Sequence, residues 1–170
     1  MSVVVIGVNH RTSPLQVLEK VAINPTDMSK ALHSLSSRNN IREAVVLSTC
    51  NRTEVYAITE KFHAAYADIS DFFCELGGLV PDELNNHLYS QHDDAAITHL
   101  FEVACGLDSA VIGENEILGQ VRDAWTNAQS EGASRSTLNL LFRHALETGK
   151  RARTETAISR STTSISFAAV

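Results

Sequence analysis

One segment, Ser48-Thr49-Cys50-Asn51-Arg52-Thr53-Glu54, concentrates the side chains best suited to covalent chemistry. Cys50 follows an apolar run at 44–47 that reads as a buried strand, so it sits in a tight polar turn at a sheet edge, where backbone amides point outward. A thiol attacks as its thiolate, and Arg52, two residues on, offers a positive charge that favours that form. The same guanidinium could instead take a carboxylate through its bidentate fork. A plainer reading stands beside both: a strand-end cysteine whose polar neighbours only solvate a hairpin turn. Cys74, within Phe72-Phe73-Cys74-Glu75-Leu76, and Cys105, after an apolar helical stripe, read as packing residues. The three cysteines form no CxxC pair, and an odd count fits a disulfide framework poorly. No Cys/His pair has zinc-ligand spacing, so no metal is expected.

Three further groups could carry chemistry. At 100° per residue, the stripe Ile97, Leu100, Phe101, Ala104 leaves His99 on another face with Ala95 and Val103, either in solvent or on the wall of a cleft. Gly113-Glu114-Asn115-Glu116-Ile117-Leu118-Gly119-Gln120 packs carboxylates and amides between two glycines. Such a loop could hold an ammonium or a hydroxyl-rich ligand, or could simply be a helix start with its own acidic residues. It is not a phosphate loop, and no Gly-x-Gly-x-x-Gly occurs in the chain, so no nicotinamide or flavin site is visible. A helix over 138–152 places Arg143, His144, Lys150 and Arg151 opposite its apolar stripe, as a solvated face or a phosphate-contacting ridge.

The elements that must position these residues follow from periodicity. Residues 3–8 read as a buried strand, and Pro25-Thr26-Asp27 opens a helix through Ala31, Leu32 and Leu35 with Thr26 or Asp27 as N-cap. Residues 44–47 and 54–59 pair as an antiparallel hairpin, with Val55 and Ala57 facing in and Tyr56 and Ile58 facing out. A helix with Ile69, Phe72, Phe73 and Leu76 ends at Gly77-Gly78, and 88–91 reads as a short fourth strand. The order β-α-β-β-α-β is the ferredoxin-like split unit. After Asp93-Asp94 the pattern is helical. The fold class expected is therefore α+β: a ferredoxin-like sheet domain over 1–92, a helical part over 93–150, and the start of a connecting helix over 151–170.

Composition bounds the rest. The chain has 170 residues, 44% hydrophobic and 20% charged, which suits a globular domain and excludes a disordered, collagen-like or coiled-coil chain. No apolar run approaches a membrane span and no secretory signal is seen, so a cytoplasmic protein is expected. The net charge is −6, yet six basic residues between Arg135 and Arg160 face only Glu147 and Glu155. That gives +4 there and −10 elsewhere, a hint of a polyanion that docks at one place. The apolar ending Ser164-Ile165-Ser166-Phe167-Ala168-Ala169-Val170 is expected to continue in a longer chain.

Taken together, the segments resemble the N-terminal catalytic domain of glutamyl-tRNA reductases. The resemblance rests on Gly7-Val8-Asn9-His10-Arg11-Thr12-Ser13-Pro14, the cysteine segment through Tyr56, Gly106-Leu107-Asp108-Ser109, 113–121, and Lys150-Arg151-Ala152-Arg153-Thr154-Glu155-Thr156. It implies that Cys50 attacks glutamate esterified to tRNA(Glu), holds it as a thioester, and that hydride from NADPH releases glutamate 1-semialdehyde for tetrapyrrole (porphyrin) synthesis. Thr49, Asn51, Arg52, Ser109, Glu114, Asn115, Glu116 and Gln120 match the family's glutamate-binding positions, and His99 matches one associated with activity. The family's loop reads Gly-Glu-Pro-Gln where this chain has Gly113-Glu114-Asn115-Glu116. The resemblance also implies an NADPH-binding domain and a dimerisation domain beyond residue 170, and glutamate-1-semialdehyde aminotransferase as a partner. The competing expectations are a thiol hydrolase or peroxidase, and a noncatalytic ferredoxin-like binding module.

Overall fold

Three strands rich in β-branched or apolar residues and a short polar one pair into one antiparallel sheet. In the computed structural model, which describes residues 1–159, the strands are β1 (Ser2–Asn9), β2 (Glu43–Ser48), β3 (Arg52–Thr59) and β4 (Tyr89–His92). Their spatial order is β2-β3-β1-β4, and every neighbouring pair is antiparallel. The β1–β3 register is tight at Gly7, which lies opposite Glu54. A Cβ on Gly7 would stand 2.5 Å from the Thr53 carbonyl oxygen and 2.9 Å from Glu54 Cα. Only glycine lets the two backbones approach there.

The helices are α1 (Leu15–Val21), α2 (Met28–Ser36), α3 (Phe62–Gly77), the single turn α4 (Pro81–Leu84), α5 (Asp94–Cys105), α6 (Glu116–Ser130) and α7 (Ser136–Glu155). They form two groups on the sheet, α1 to α3 and α5 to α7. All eight residues of β3 are buried, so neither sheet face meets water there. That corrects the outward placement of Tyr56 and Ile58, which are 0% and 1% exposed. The cause is the second helical layer: Phe142 of α7 meets the Tyr56 ring edge-on at 5.4 Å.

Local signals are partly redirected. Residues 25–27 form a 3-10 turn ahead of α2, and the Asp27 side chain makes no cap hydrogen bond. α1 has no counterpart in the sequence reading; its seven residues follow Pro14. Gly78 ends α3 with φ of 60°, as the glycine pair implies. One hydrophobic cluster runs from Val4 to Leu146 through both parts of the chain, and α7 continues unbroken through position 150. Residues 160–170, with the apolar ending, lie outside the described residues. Among the described residues no helix is long and apolar enough to cross a membrane.

Candidate active site

The β2–β3 turn presents Cys50. Ser48 and Thr53 close the ladder, and the Thr49 N–H donates to the Arg52 carbonyl at 2.8 Å. The Asn51 N–H donates to Thr49 Oγ1 at 3.2 Å, and the His10 N–H donates to the Asn51 carbonyl at 2.9 Å, tying the turn to the end of β1. Every bond holds main chain, and the Cys50 side chain is left exposed. Cys105 is buried and Cys74 half-buried. Burial pushes both of their thiols up, and for Cys74 the Asp71 and Glu75 charges add to it. Of three cysteines, the one in the turn is the accessible one.

Directly after the turn, Arg52, Glu54 and Tyr56 alternate onto one face of β3. Glu54 is 0% exposed, yet its carboxylate is saturated. Oε1 accepts from Arg52 Nη1 at 2.9 Å, from His99 Nε2 at 2.8 Å and from the Tyr89 hydroxyl, while Oε2 accepts from the Tyr56 hydroxyl at 2.6 Å. Burial alone would raise this carboxyl; the His99 hydrogen bond and the Arg52 charge instead bring it down to about 2. Burial and the Glu54 charge push both tyrosine hydroxyls well up, so they stay donors. A carboxylate only accepts, so His99 donates to it through a proton on Nε2.

His99 is thus not solvent-facing, and it shares its buried face with Val103 as expected. It is 6% exposed because the buried face of α5 runs through Ala96, His99, Leu100 and Val103, rotated from the expected stripe, with Ile97 and Phe101 only half-buried. Arg52 is likewise engaged. Besides Glu54 it binds Asp108, with Nη1 to Oδ2 at 2.9 Å and Nη2 to the carbonyl at 2.6 Å. Burial works against its charge, but Glu54 outweighs that and holds it firmly protonated. Asp108 also takes Arg11 Nη1 at 2.7 Å. The two arginines therefore fasten the loop 106–115 to the turn after β1 and to β3.

That loop carries several predicted residues. Ser109 is 5% exposed, and its Oγ has no hydrogen-bond partner among the described residues. The same holds for the buried Oε1 of half-buried Gln120 on α6. Glu114 is buried; desolvation and the Glu116 charge raise its carboxyl, against the pull of Arg52 and Arg153. Asn115 and Glu116 are exposed at the start of α6, and the Asn115 side chain makes no cap bond. Thr49 and Asn51 flank Cys50, both half-buried.

The structure thus joins Arg52, His99 and the 106–115 loop through two acidic residues, Glu54 and Asp108, that sequence reasoning gave no role. Tyr56 and Tyr89 were missed as well. A signal existed for two of them: Glu54 and Tyr56 follow Arg52 at steps of two in a strand otherwise apolar or small. Among the described residues no group of three or more His, Cys, Asp or Glu is placed to hold a metal ion. A cleft of about 440 Å³ between α2 and α3, with Lys30, Phe72 and Leu76 on its walls, includes none of these residues, so cavity volume does not mark the chemistry.

Comparison with known proteins matches residues 6–156 to the family described as Glutamyl-tRNAGlu reductase, N-terminal domain. A glutamyl-tRNA reductase of Frankia alni is 50% identical over 165 residues, 97% of this chain and 35% of that protein. The Bacillus subtilis glutamyl-tRNA reductase is 42% identical over 170 residues, all of this chain and 37% of that protein. The solved glutamyl-tRNA reductase from Methanopyrus kandleri superposes with a TM-score of 0.77 at 35% identity, over 98% of this chain and 38% of that one. The chain thus spans little more than a third of the length of these relatives.

Proposed function

The chain belongs to the glutamyl-tRNAGlu reductase N-terminal domain family, and from that premise we propose that it performs the acyl-transfer half of glutamyl-tRNA reduction. The Cys50 sulfur attacks the ester carbonyl of glutamyl-tRNA(Glu). A carbon–sulfur bond forms as the carbon–oxygen bond to the terminal ribose breaks, and the tRNA hydroxyl leaves with a proton. The observation that carries this reading is an exposed cysteine, in a turn whose hydrogen bonds leave its side chain free, at the head of the strand that bears Arg52 and Glu54. A thioester divides one difficult displacement into two easier ones.

Binding falls to polar groups of the turn and the loop, two of which, Ser109 Oγ and Gln120 Oε1, have no partner among the described residues. Ser109 Oγ and Gln120 Oε1 suit the substrate's polar ends, Glu114 and Glu116 its ammonium, and Thr49 and Asn51 the turn around the carbonyl. Arg52, engaged by Glu54 and Asp108, anchors the loop that carries Ser109 and Glu114, and His99 can take part in proton transfer. In the complete enzyme NADPH reduces the thioester to glutamate 1-semialdehyde for tetrapyrrole synthesis. The described residues offer no glycine-rich strand-to-helix cradle for a dinucleotide, so no cofactor step is assigned to this chain. We extend the reading to a ferredoxin-like unit over 1–92, a helical part over 93–150, a cytoplasmic location, a homodimer built elsewhere in the full-length protein, and release of the aldehyde to its aminotransferase.

Mass spectrometry of the protein after incubation with glutamyl-tRNA tests the chemistry. A glutamyl adduct on the Cys50 peptide, absent in Cys50→Ala, is expected. Ester cleavage that survives Cys50→Ala, or an adduct on Cys74 or Cys105, refutes it.

A further inference from the structure

Near its end α7 passes very close to α5 and α6. A Cβ on Gly149 would stand 2.7 Å from Leu118 Cδ1 and 2.8 Å from the Ala104 carbonyl oxygen. One turn on, Arg153 extends beneath the loop 106–115. Its Nη1 donates to the carbonyls of Ala104 and Gly149, each at 2.9 Å, and its Nη2 donates to the carbonyl of Glu114 at 3.0 Å. No carboxylate pairs with it among the described residues, and its Nε is buried without a partner there. A guanidinium spent wholly on main-chain carbonyls holds backbone in place.

What it holds are the two ends of the loop, Ala104 just before it and Glu114 near its close. Between them Arg52 and Arg11 grip Asp108. Within the loop, Gly106 and Gly113 have φ of 78° and 80°, and the Gly113 N–H donates to the Gly106 carbonyl at 2.8 Å. Ser109 and Glu114 ride on this doubly fastened loop. Losing the Arg153 grip frees the Glu114 end while leaving Arg52, Glu54 and the Cys50 turn intact.

We infer that Arg153 is a positioning residue for recognition of the glutamyl group: its three main-chain bonds fix the loop 106–115 so that Ser109 and Glu114 face the substrate, which Arg153 itself does not touch. This rests on the functional reading given above. Arg153→Ala and Arg153→Lys in the full-length enzyme test it, in single-turnover acylation of Cys50 by glutamyl-tRNA. Arg153→Ala should raise the half-saturating concentration about tenfold, the scale of one charged hydrogen bond. The limiting rate should stay within about twofold, and affinity for uncharged tRNA should not change. A lysine reaches one carbonyl, so Arg153→Lys should recover part of the loss.

Amide hydrogen exchange provides a readout free of substrate. Gly113 and Glu114 N–H groups should exchange faster in Arg153→Ala, and those of the β2–β3 hairpin should not. Equal exchange in the loop, or equal weakening for charged and uncharged tRNA, overturns the inference. Absence of any Cys50 adduct in the unmodified enzyme overturns the functional reading instead, and exchange then still decides whether Arg153 holds the loop.

Discussion

Replacing Glu54 by glutamine keeps the shape of the side chain and removes its charge from a fully buried site. The magnitude follows in two ways. The displacement of its carboxyl from the ordinary 4.5 to about 2 corresponds to about 3 kcal/mol favouring the ionised form in the fold. Breaking a buried ion pair by removing one member costs about 3–5 kcal/mol. The lower end applies, since Asp108 still holds Arg52 with Oδ2 and its carbonyl. Against total stabilities of about 5–15 kcal/mol this is a large loss.

The dependence on pH has a definite sign. The carboxyl titrates lower in the fold than in the unfolded chain, so the unfolded state binds the extra proton between about 4.5 and 2. The stabilisation is therefore complete above about pH 4.5 and declines as pH falls toward 2. Urea unfolding of the protein and of Glu54→Gln should differ by about 3 kcal/mol at pH 7. That gap should stay level to pH 5 and narrow steadily from pH 4.5 to pH 3. A gap below about 1 kcal/mol at pH 7, or one that does not narrow in acid, would refute the view of Glu54 as a charged centre rather than a polar filler.

Other outcomes can be checked directly. Iodoacetamide at neutral pH should label Cys50 well before Cys74 or Cys105, since only Cys50 is exposed; equal labelling rates in the folded protein would contradict the assignment. Glu43, buried in β2, accepts the N–H groups of Arg135, Thr137 and Leu138 at 2.8–3.2 Å and so closes the start of α7. Glu43→Gln, which turns an amide toward those donors, should cost about 1–3 kcal/mol in a denaturant melt. Arg143 and Lys150, seven residues apart, share an exposed face of α7, whereas Arg151 is spent on Glu155 at 3.0 Å. Reversing Arg143 and Lys150 to glutamate should weaken tRNA binding and flatten its salt dependence, with an unchanged slope in a filter-binding titration counting against the ridge.

Much of the sheet is legible because burial on both faces leaves continuous apolar runs. The hairpin, its cysteine turn and the glycine that ends α3 follow from residue type alone. Alternation fails at Tyr56 and Ile58, which are apolar residues assigned to a polar face; two helical layers remove any polar face. His99 fails for a related reason, since a histidine on a helix is polar until a buried carboxylate meets it. That carboxylate gathers donors from β3, β4 and α5, and no local pattern shows that Arg52, Tyr89 and His99 converge. α1 escapes because seven residues after Pro14 are too few for a period to emerge.

The buried cluster raises the question of what it does beyond stability. A satisfied ion network is worth little more than a well-packed apolar group of the same volume, though breaking it is costly. Its distinctive effect is directional. Arg52 must point both at Glu54, beside it on β3, and at Asp108, in the loop, with no slack in either set of bonds. An apolar core at the same place would tolerate sliding of loop against strand by a fraction of an ångström. Here the strand that begins beside Cys50 and the loop that carries Ser109 and Glu114 are fixed to one guanidinium, while Arg153 fixes the loop's far end to α7. A reaction that needs a sulfur and a bound acyl group aligned to within about 0.5 Å favours that arrangement over a softer one. The ion network therefore ties the turn that carries Cys50 to the loop 106–115, and both to a helix that carries the exposed basic face.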